Sequence, residues 1–366
     1  VDQEQYAYKD IIQRTFIEVM DEAEFAGYAY GGIVVQAYLR ESEHDTRTLI
    51  EWARGRRHPI HIRLVKGAYW DYETVIAGQK HLAPPVWTRK WQSDANYEKL
   101  SGLLLQNYRH TRPAFASHNV RSLAAALALA EALGVPRGAY EVQVLFGMGD
   151  SIATAVTREG CRCRVYAPYG DMIPGMGYLV RRLLENTSND SFLLQTMNKS
   201  RNEDALLQAP NGPPEDVPGT ASDRFVNTPE VDWAQASERD KMRAAIAEVR
   251  GQLGRSYALI INGKPVTTAT QRDSVNPSQS SEVIGRVAQA GPEHAEQALA
   301  AARAAFPAWR DTHYTMRADL LMRCAEITLR RKFELAAWMV LEAGKTWNEA
   351  IADVEETVDY CRYYAW

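Results

Sequence analysis

Residues 60–70 read IHIRLVKGAYW. The run is short and apolar, and it ends in a polar, glycine-containing tail that continues to Asp71. Strand alternation puts Arg63 and Val65 on one face and Leu64 and Lys66 on the other. An arginine inside a strand needs a polar or anionic partner, because burying an unpaired charge is very costly. The same plan recurs along the first 200 residues. GGIVVQAYL (31–39), AFASHN (114–119), YEVQVLFGMG (140–149) and RVYAPYG (164–170) are further apolar runs that end in polar or glycine-bearing tails. Helical stretches such as TRTLIEWARGRR (46–57) and VRSLAAALALAEALG (120–134) lie between them. Strands separated by helices predict an α/β fold with a parallel sheet covered on both sides. In a barrel the chemistry would sit at the carboxyl ends of the strands; in an open doubly wound sheet it would sit at the topological switch point. No GxGxxG follows any of these strands, so the dinucleotide fingerprint is lacking here.

The remainder of the chain changes character. APNGPPEDVPGTASD (209–223) reads as a linker or ordered loop, and SERDKMRAAIAEVRGQL (237–253) as a helix. YALIINGKPV (257–266) predicts a hairpin turning at Asn262–Gly263. Residues 291–309 and 316–344 read as helical, the second with a break near Lys332. The 366 residues are 46% hydrophobic and carry a net charge of −4, which gives no reason to expect nucleic acid as a partner. No run is apolar enough to span a bilayer, and no signal peptide is visible. Cys161, Cys163, Cys324 and Cys361 form no CxxC and no metal-ligand spacing, so no metal site and reduced cytosolic thiols are expected. Cys161 and Cys163 would point the same way in a strand. The first residues, VDQEQY, and the last, YYAW, show no terminal cap, so an internal piece of a longer chain is expected.

Several residues could carry chemistry. Lys66 could be a Schiff-base nucleophile, an anion ligand or a donor to a cofactor, or a lysine reaching solvent from the sheet edge. His118 could be a ligand or a satisfied structural histidine. Gln36 is an amide in an apolar strand that must find partners, in a cofactor or in neighbouring backbone. In YLVRRLLENTSND (178–190), Tyr178, Arg181, Arg182 and Glu185 fall on one helical stripe. That stripe is either a solvated face with local Arg–Glu pairs, or two guanidinium forks converging on a carboxylate or phosphate.

The motifs RLVKGAYWD, TRK (88–90), FASHN, VLFGMG, VYAPYG and YLVRRLLENTSNDSF occur in this order in proline dehydrogenases. The chain resembles the proline utilization A family, bacterial fusions of proline dehydrogenase to pyrroline-5-carboxylate dehydrogenase. Its second half resembles the start of an aldehyde dehydrogenase. The resemblance implies a (βα)8-type barrel lacking its N-terminal strands over residues 1–202, a linker and helical connection over 203–256, and the opening of an aldehyde dehydrogenase-like α/β domain over 257–366. It implies that Arg181 and Arg182 ion-pair the carboxylate of proline, that Tyr69, Leu145, Tyr166 and Tyr178 line its pocket, and that Asp2 lies near its amine. FAD would be held by Gln36, Arg63, Val65, Lys66, Gly67, Ala68, Trp70, Thr88, Lys90, Ser117, His118, Asn119, Glu185 and Phe192. NAD would serve a part of the second domain beyond these residues, and Cys324 and Cys361 would only pack helices. A membrane quinone as electron acceptor, a homo-oligomer and a cytoplasmic location, peripheral at the inner face of the bacterial membrane, are further expectations. The rivals are a Schiff-base lyase or aldolase barrel acting through Lys66, and an inactive fragment whose open barrel edges prevent FAD binding.

Overall fold

The computed structural model describes residues 1–171, 173, 175–177, 180, 207–213 and 225–366. The chain forms two compact units, Val1–Gln79 with Ala83–Pro218, and Lys80–Leu82 with Gly219–Trp366.

Five strands in the first unit form an all-parallel sheet in sequential order: β1 (Gly32–Gln36), β2 (Ile60–Val65), β3 (Thr111–Ala116), β4 (Glu141–Leu145) and β5 (Cys163–Tyr166). Helices α1 (Lys9–Asp21), α2 (Ser42–Arg54), α3 (Trp70–Gln79), α4 (Lys90–Gln106), α5 (Val120–Ala132) and α6 (Asp150–Arg158) precede, connect or follow the strands. Sequential parallel order leaves no switch point, which is the winding of a (βα)8 barrel and not of a doubly wound sheet. The register pairs Ile33 with Ile62, Leu64 with Phe115, and Phe115 with Val142. These residues pack with Leu49, Tyr97, Leu100, Leu104, Leu123 and Ala126 of α2, α4 and α5 in one core.

The two faces of the sheet differ in polarity. The opposite face carries Gln36, Arg63, Glu141, Gln143 and Arg164, and exposure along β2 alternates residue by residue. The core packs on one face; the other is more polar, although Val34, Gln36, Ala114 and Glu141 on it are buried as well. Beyond β1, the Val1 ammonium donates to Gly32 O at 2.6 Å and Val34 N donates to Val1 O at 3.1 Å, so the chain start runs beside that strand. Cys161 precedes β5, so the two neighbouring cysteines do not share a strand; Cys161 is buried with its sulfur 3.6 Å from the Tyr140 hydroxyl.

In the second unit, β7 (Leu259–Ile261) and β8 (Lys264–Val266) make the expected hairpin. Asn262 at φ 51° and Gly263 at φ 69° supply the two positive φ values that such a turn requires. A second sheet has the order β6 (Arg255–Tyr257), β10 (Gln279–Ala288), β9 (Gln271–Asn276). Helices α7 (Ala236–Arg250), α8 (Pro292–Asp311), α9 (Tyr314–Arg330), α10 (Lys332–Ala343) and α11 (Trp347–Ala365) complete the described part, with the break between α9 and α10 at Arg331. Met242, Ala245 and Val249 of α7 share a core with Ala336, Leu341, Ile351 and Val354, so this helix is an integral part of the second unit.

Candidate active site

The carboxyl ends of β1 and β2 bring Gln36 beside Val65, and Arg63 lies two register pairs below, opposite Val34 and on the same face. Gln36 is 3% exposed. Its Nε2 donates to the carbonyls of Gln3 at 2.9 Å and Glu4 at 3.0 Å, so neighbouring backbone supplies half of what the amide needs. Its Oε1 is buried and has no hydrogen-bond partner among the described residues. Arg63 donates through Nη2 to the Asp2 carboxylate, while its buried Nε has no partner among the described residues. Asp2, expected beside a substrate amine, is thus engaged by Arg63. A buried polar atom without a partner costs about 1–3 kcal/mol, and here two of them sit on adjacent strands of the polar face.

After β2 the chain turns through Lys66, Gly67, Ala68 and Tyr69 into α3. Gly67 has φ 127°, a region closed to other residues, and a Cβ there would overlap the Tyr38 ring. Lys66 turns away from Arg63, as alternation requires. Its Nζ pairs with Asp94 of α4, and the Tyr97 ring lies 5.8 Å away. Burial pushes the Lys66 ammonium down against the opposing pull of Asp94. Lys90 Nζ reaches the other Asp94 oxygen at 3.1 Å. With Nζ committed to Asp94 the amine is not free to attack, which argues against Lys66 as a Schiff-base nucleophile. Trp70 donates through Nε1 to Trp87 O at 2.8 Å, which ties the start of α3 to the segment bearing Thr88 and Lys90.

The β3 tail is occupied mostly with its own backbone. Ser117 Oγ accepts from Asn119 N at 3.1 Å, and Asn119 Oδ1 caps α5 by accepting from Ser122 N at 3.1 Å. His118 Nε2 accepts from Leu145 N at 3.0 Å, which fixes the tautomer with the proton on Nδ1 and joins the ends of β3 and β4. Leu145 pairs in register with Tyr166 across β4 and β5, and Tyr166 is half exposed. Tyr178, Arg181, Arg182, Glu185 and Phe192 lie outside the described residues.

Sequence reasoning passed over a second polar group deeper on the same face. Arg164 grips Glu141 bidentately, Nε to Oε1 at 2.8 Å and Nη2 to Oε2 at 3.0 Å, and Gln143 Nε2 donates to Oε1 at 2.7 Å. Burial works against charge on Glu141, but the Arg164 and Gln143 hydrogen bonds hold its carboxyl below the usual range. His61 is pushed down by burial and by Arg112. The available signal was parity: Glu141 and Gln143 share the face of Leu145, and Arg164 that of Tyr166.

Among the described residues no group of three or more His, Cys, Asp or Glu side chains could hold a metal ion, and no helix is long and apolar enough to cross a membrane. Cys324 and Cys361 lie against each other between α9 and α11.

Residues 1–195 match the proline dehydrogenase family, and residues 266–366 match the aldehyde dehydrogenase family. The bifunctional protein PutA of Escherichia coli K12 is 35% identical over 371 residues, covering 94% of this chain and 28% of that protein. The 1-pyrroline-5-carboxylate dehydrogenase of Geobacillus thermodenitrificans is 46% identical over 140 residues, which cover 38% of this chain and 27% of that protein. The crystal structure of Bdellovibrio bacteriovorus proline utilization A, inactivated by N-propargylglycine, superposes with a TM-score of 0.89 at 45% identity, over 100% of this chain and 38% of that one. The chain therefore spans less than a third of the length of the PutA relative that it matches almost throughout. With more than half of its residues inside the match, on a sequential parallel sheet, the chain belongs to the proline dehydrogenase family and continues into the opening of an aldehyde dehydrogenase domain.

Proposed function

We propose that the first unit oxidises L-proline to pyrroline-5-carboxylate with FAD as acceptor. The observation that carries this reading is the pair of buried, unpartnered polar atoms, Gln36 Oε1 and Arg63 Nε, on adjacent strands of the polar face. They suit a planar heterocycle that offers both a donor and an acceptor at its edge. When bound, FAD supplies the two-electron acceptor that takes hydride from the ring carbon beside the proline nitrogen.

The chain's own residues do the rest. Arg181 and Arg182 hold the proline carboxylate between two planar forks. Tyr69, Leu145, Tyr166 and Tyr178 pack the small apolar ring and exclude water. Asp2 keeps the Arg63 guanidinium oriented, and Gln36 is anchored by the Gln3 and Glu4 carbonyls. Hydride transfer then needs only placement. Thr88, Lys90, Ser117, His118, Asn119, Glu185 and Phe192 contribute the remaining cofactor contacts. The product passes to an aldehyde dehydrogenase using NAD, and a membrane quinone reoxidises the flavin.

The test is Arg182→Met in the intact protein. Losing one charge-assisted contact of roughly 1.5–3 kcal/mol should raise the KM for proline by about 10- to 150-fold and leave FAD content unchanged. An unchanged KM with loss of flavin would overturn the carboxylate role.

A further inference from the structure

We infer that Tyr38 is a positioning residue whose ring fixes the Lys66–Trp70 loop, and with it the geometry of the candidate FAD and proline sites. The inference rests on the FAD reading above. Tyr38 follows β1 and is 3% exposed. It joins two segments that neither touch in sequence nor belong to the same strand. Its N–H donates to Lys66 O at 2.7 Å, and its carbonyl accepts from Trp87 N at 2.8 Å. The first segment carries Gly67, Ala68, Tyr69 and Trp70, and the second leads into Thr88 and Lys90. The neighbours of Tyr38 secure the same junction. Ala37 N donates to Val65 O at 2.8 Å, Leu39 bridges Val86, and Arg40 N donates to Pro85 O at 2.9 Å with its guanidinium 5.0 Å above the Trp87 ring.

These backbone bonds need no particular side chain at position 38. What the side chain adds is a wall. The ring lies against Gly67, so close that any Cβ at 67 would overlap it, and Gly67 is held at φ 127°. The hydroxyl lies next to the Tyr69 backbone, outside strict hydrogen-bond geometry, with the Glu73 carboxylate alongside. Glu73 is itself committed, accepting from Tyr6 N at 2.8 Å. Burial and the Glu73 charge both push the Tyr38 phenol upward, so the ring stays neutral throughout the physiological range. Without this wall the loop can sink toward β1. Tyr69 then moves away from the substrate pocket, and the backbone at Gly67 and Ala68 moves away from the cofactor.

A core residue and a positioning residue differ in what their loss does. Loss of a core residue lowers stability; loss of a positioning residue changes affinity at temperatures where the protein is fully folded. The experiment compares Tyr38→Met, which fills the volume without a planar wall, with Tyr38→Phe, which keeps it, in the intact protein well below its melting temperature. FAD Kd and the kinetic constants for proline are measured for each. Misplacement on the ångström scale should raise the FAD Kd of Tyr38→Met about tenfold or more, and raise its KM for proline with a much smaller change in kcat. Tyr38→Phe should restore both to within about threefold of wild type. If Tyr38→Met yields no folded protein, Tyr38→Leu replaces it with the same expectations. A lowered melting temperature with unchanged Kd and KM would overturn the inference, as would a Tyr38→Phe variant as defective as Tyr38→Met. Wild-type protein that binds no FAD overturns the FAD reading and this inference with it. Wild-type protein that binds FAD normally while the variants behave alike overturns the inference alone.

Discussion

Gln36→Leu separates a ligand-binding amide from a structural one. In the protein without cofactor, Gln36 Nε2 makes two hydrogen bonds to the Gln3 and Glu4 carbonyls, at 2.9 and 3.0 Å, while Oε1 is buried with no partner among the described residues. Leucine removes all of these at once. Losing two neutral hydrogen bonds costs about 1–3 kcal/mol, and removing an unsatisfied buried oxygen returns about 1–3 kcal/mol. The two terms oppose each other, so the stability of the cofactor-free protein should change by no more than about 2 kcal/mol. On the FAD reading proposed above, the balance differs on cofactor binding, because Oε1 would then accept a hydrogen bond that leucine cannot. The FAD Kd should rise by the worth of that bond, about 0.5–1.5 kcal/mol, or roughly 2- to 13-fold. Urea unfolding of the apoprotein gives the first quantity, and flavin fluorescence titration gives the second. A Gln36→Leu apoprotein destabilised by several kcal/mol, with an unchanged FAD Kd, would show that the amide serves the fold and not the cofactor.

Glu141→Gln should destabilise the protein by about 1–2 kcal/mol at neutral pH, at the low end for a charge-assisted pair because the Arg164 side chain is 61% exposed. The folded Glu141 pKa is depressed, so its stabilisation is fully present above the unfolded carboxylate value near about 4.3 and lost as pH falls through the folded value. Urea midpoints should therefore separate wild type from Glu141→Gln at pH 7 and converge in acid; a gap that widens in acid refutes the pairing. Replacing Cys324 and Cys361 together by serine should leave aldehyde oxidation by the intact protein largely unchanged and lower stability by about 1 kcal/mol; loss of that activity with normal folding would reveal a catalytic thiol. Borohydride with an aldehyde or keto-acid substrate should leave Lys66 unmodified, since its Nζ is engaged by Asp94; a reduced adduct found at Lys66 by peptide mapping would restore the Schiff-base reading.

Much of the sheet was legible because its strands are short apolar runs with glycine or polar ends. Alternation placed Arg63 and Lys66 on opposite faces, where they are found paired with Asp2 and Asp94. The hairpin was legible because Asn262–Gly263 writes into the sequence the two positive φ values that its turn requires. Helix α4 was not. Its inward side includes Ser93, Asn96 and Ser101, whose burial depends on partners elsewhere, such as the Ala37 carbonyl that Asn96 Nδ2 reaches at 2.7 Å. The Glu141–Arg164 grip joins residues 23 apart on neighbouring strands, and pairing of that kind becomes visible only when register is known. Tyr38 was invisible as a site residue because its contribution is a contact with a glycine from another strand's loop.

The most direct measurement is the response of the flavin in the intact, desalted protein to L-proline under anaerobic conditions. The account predicts a flavin visible band that survives desalting at about one equivalent per chain and bleaches on addition of proline. A desalted, folded protein with no flavin band, or a bound flavin that proline leaves oxidised, would contradict it.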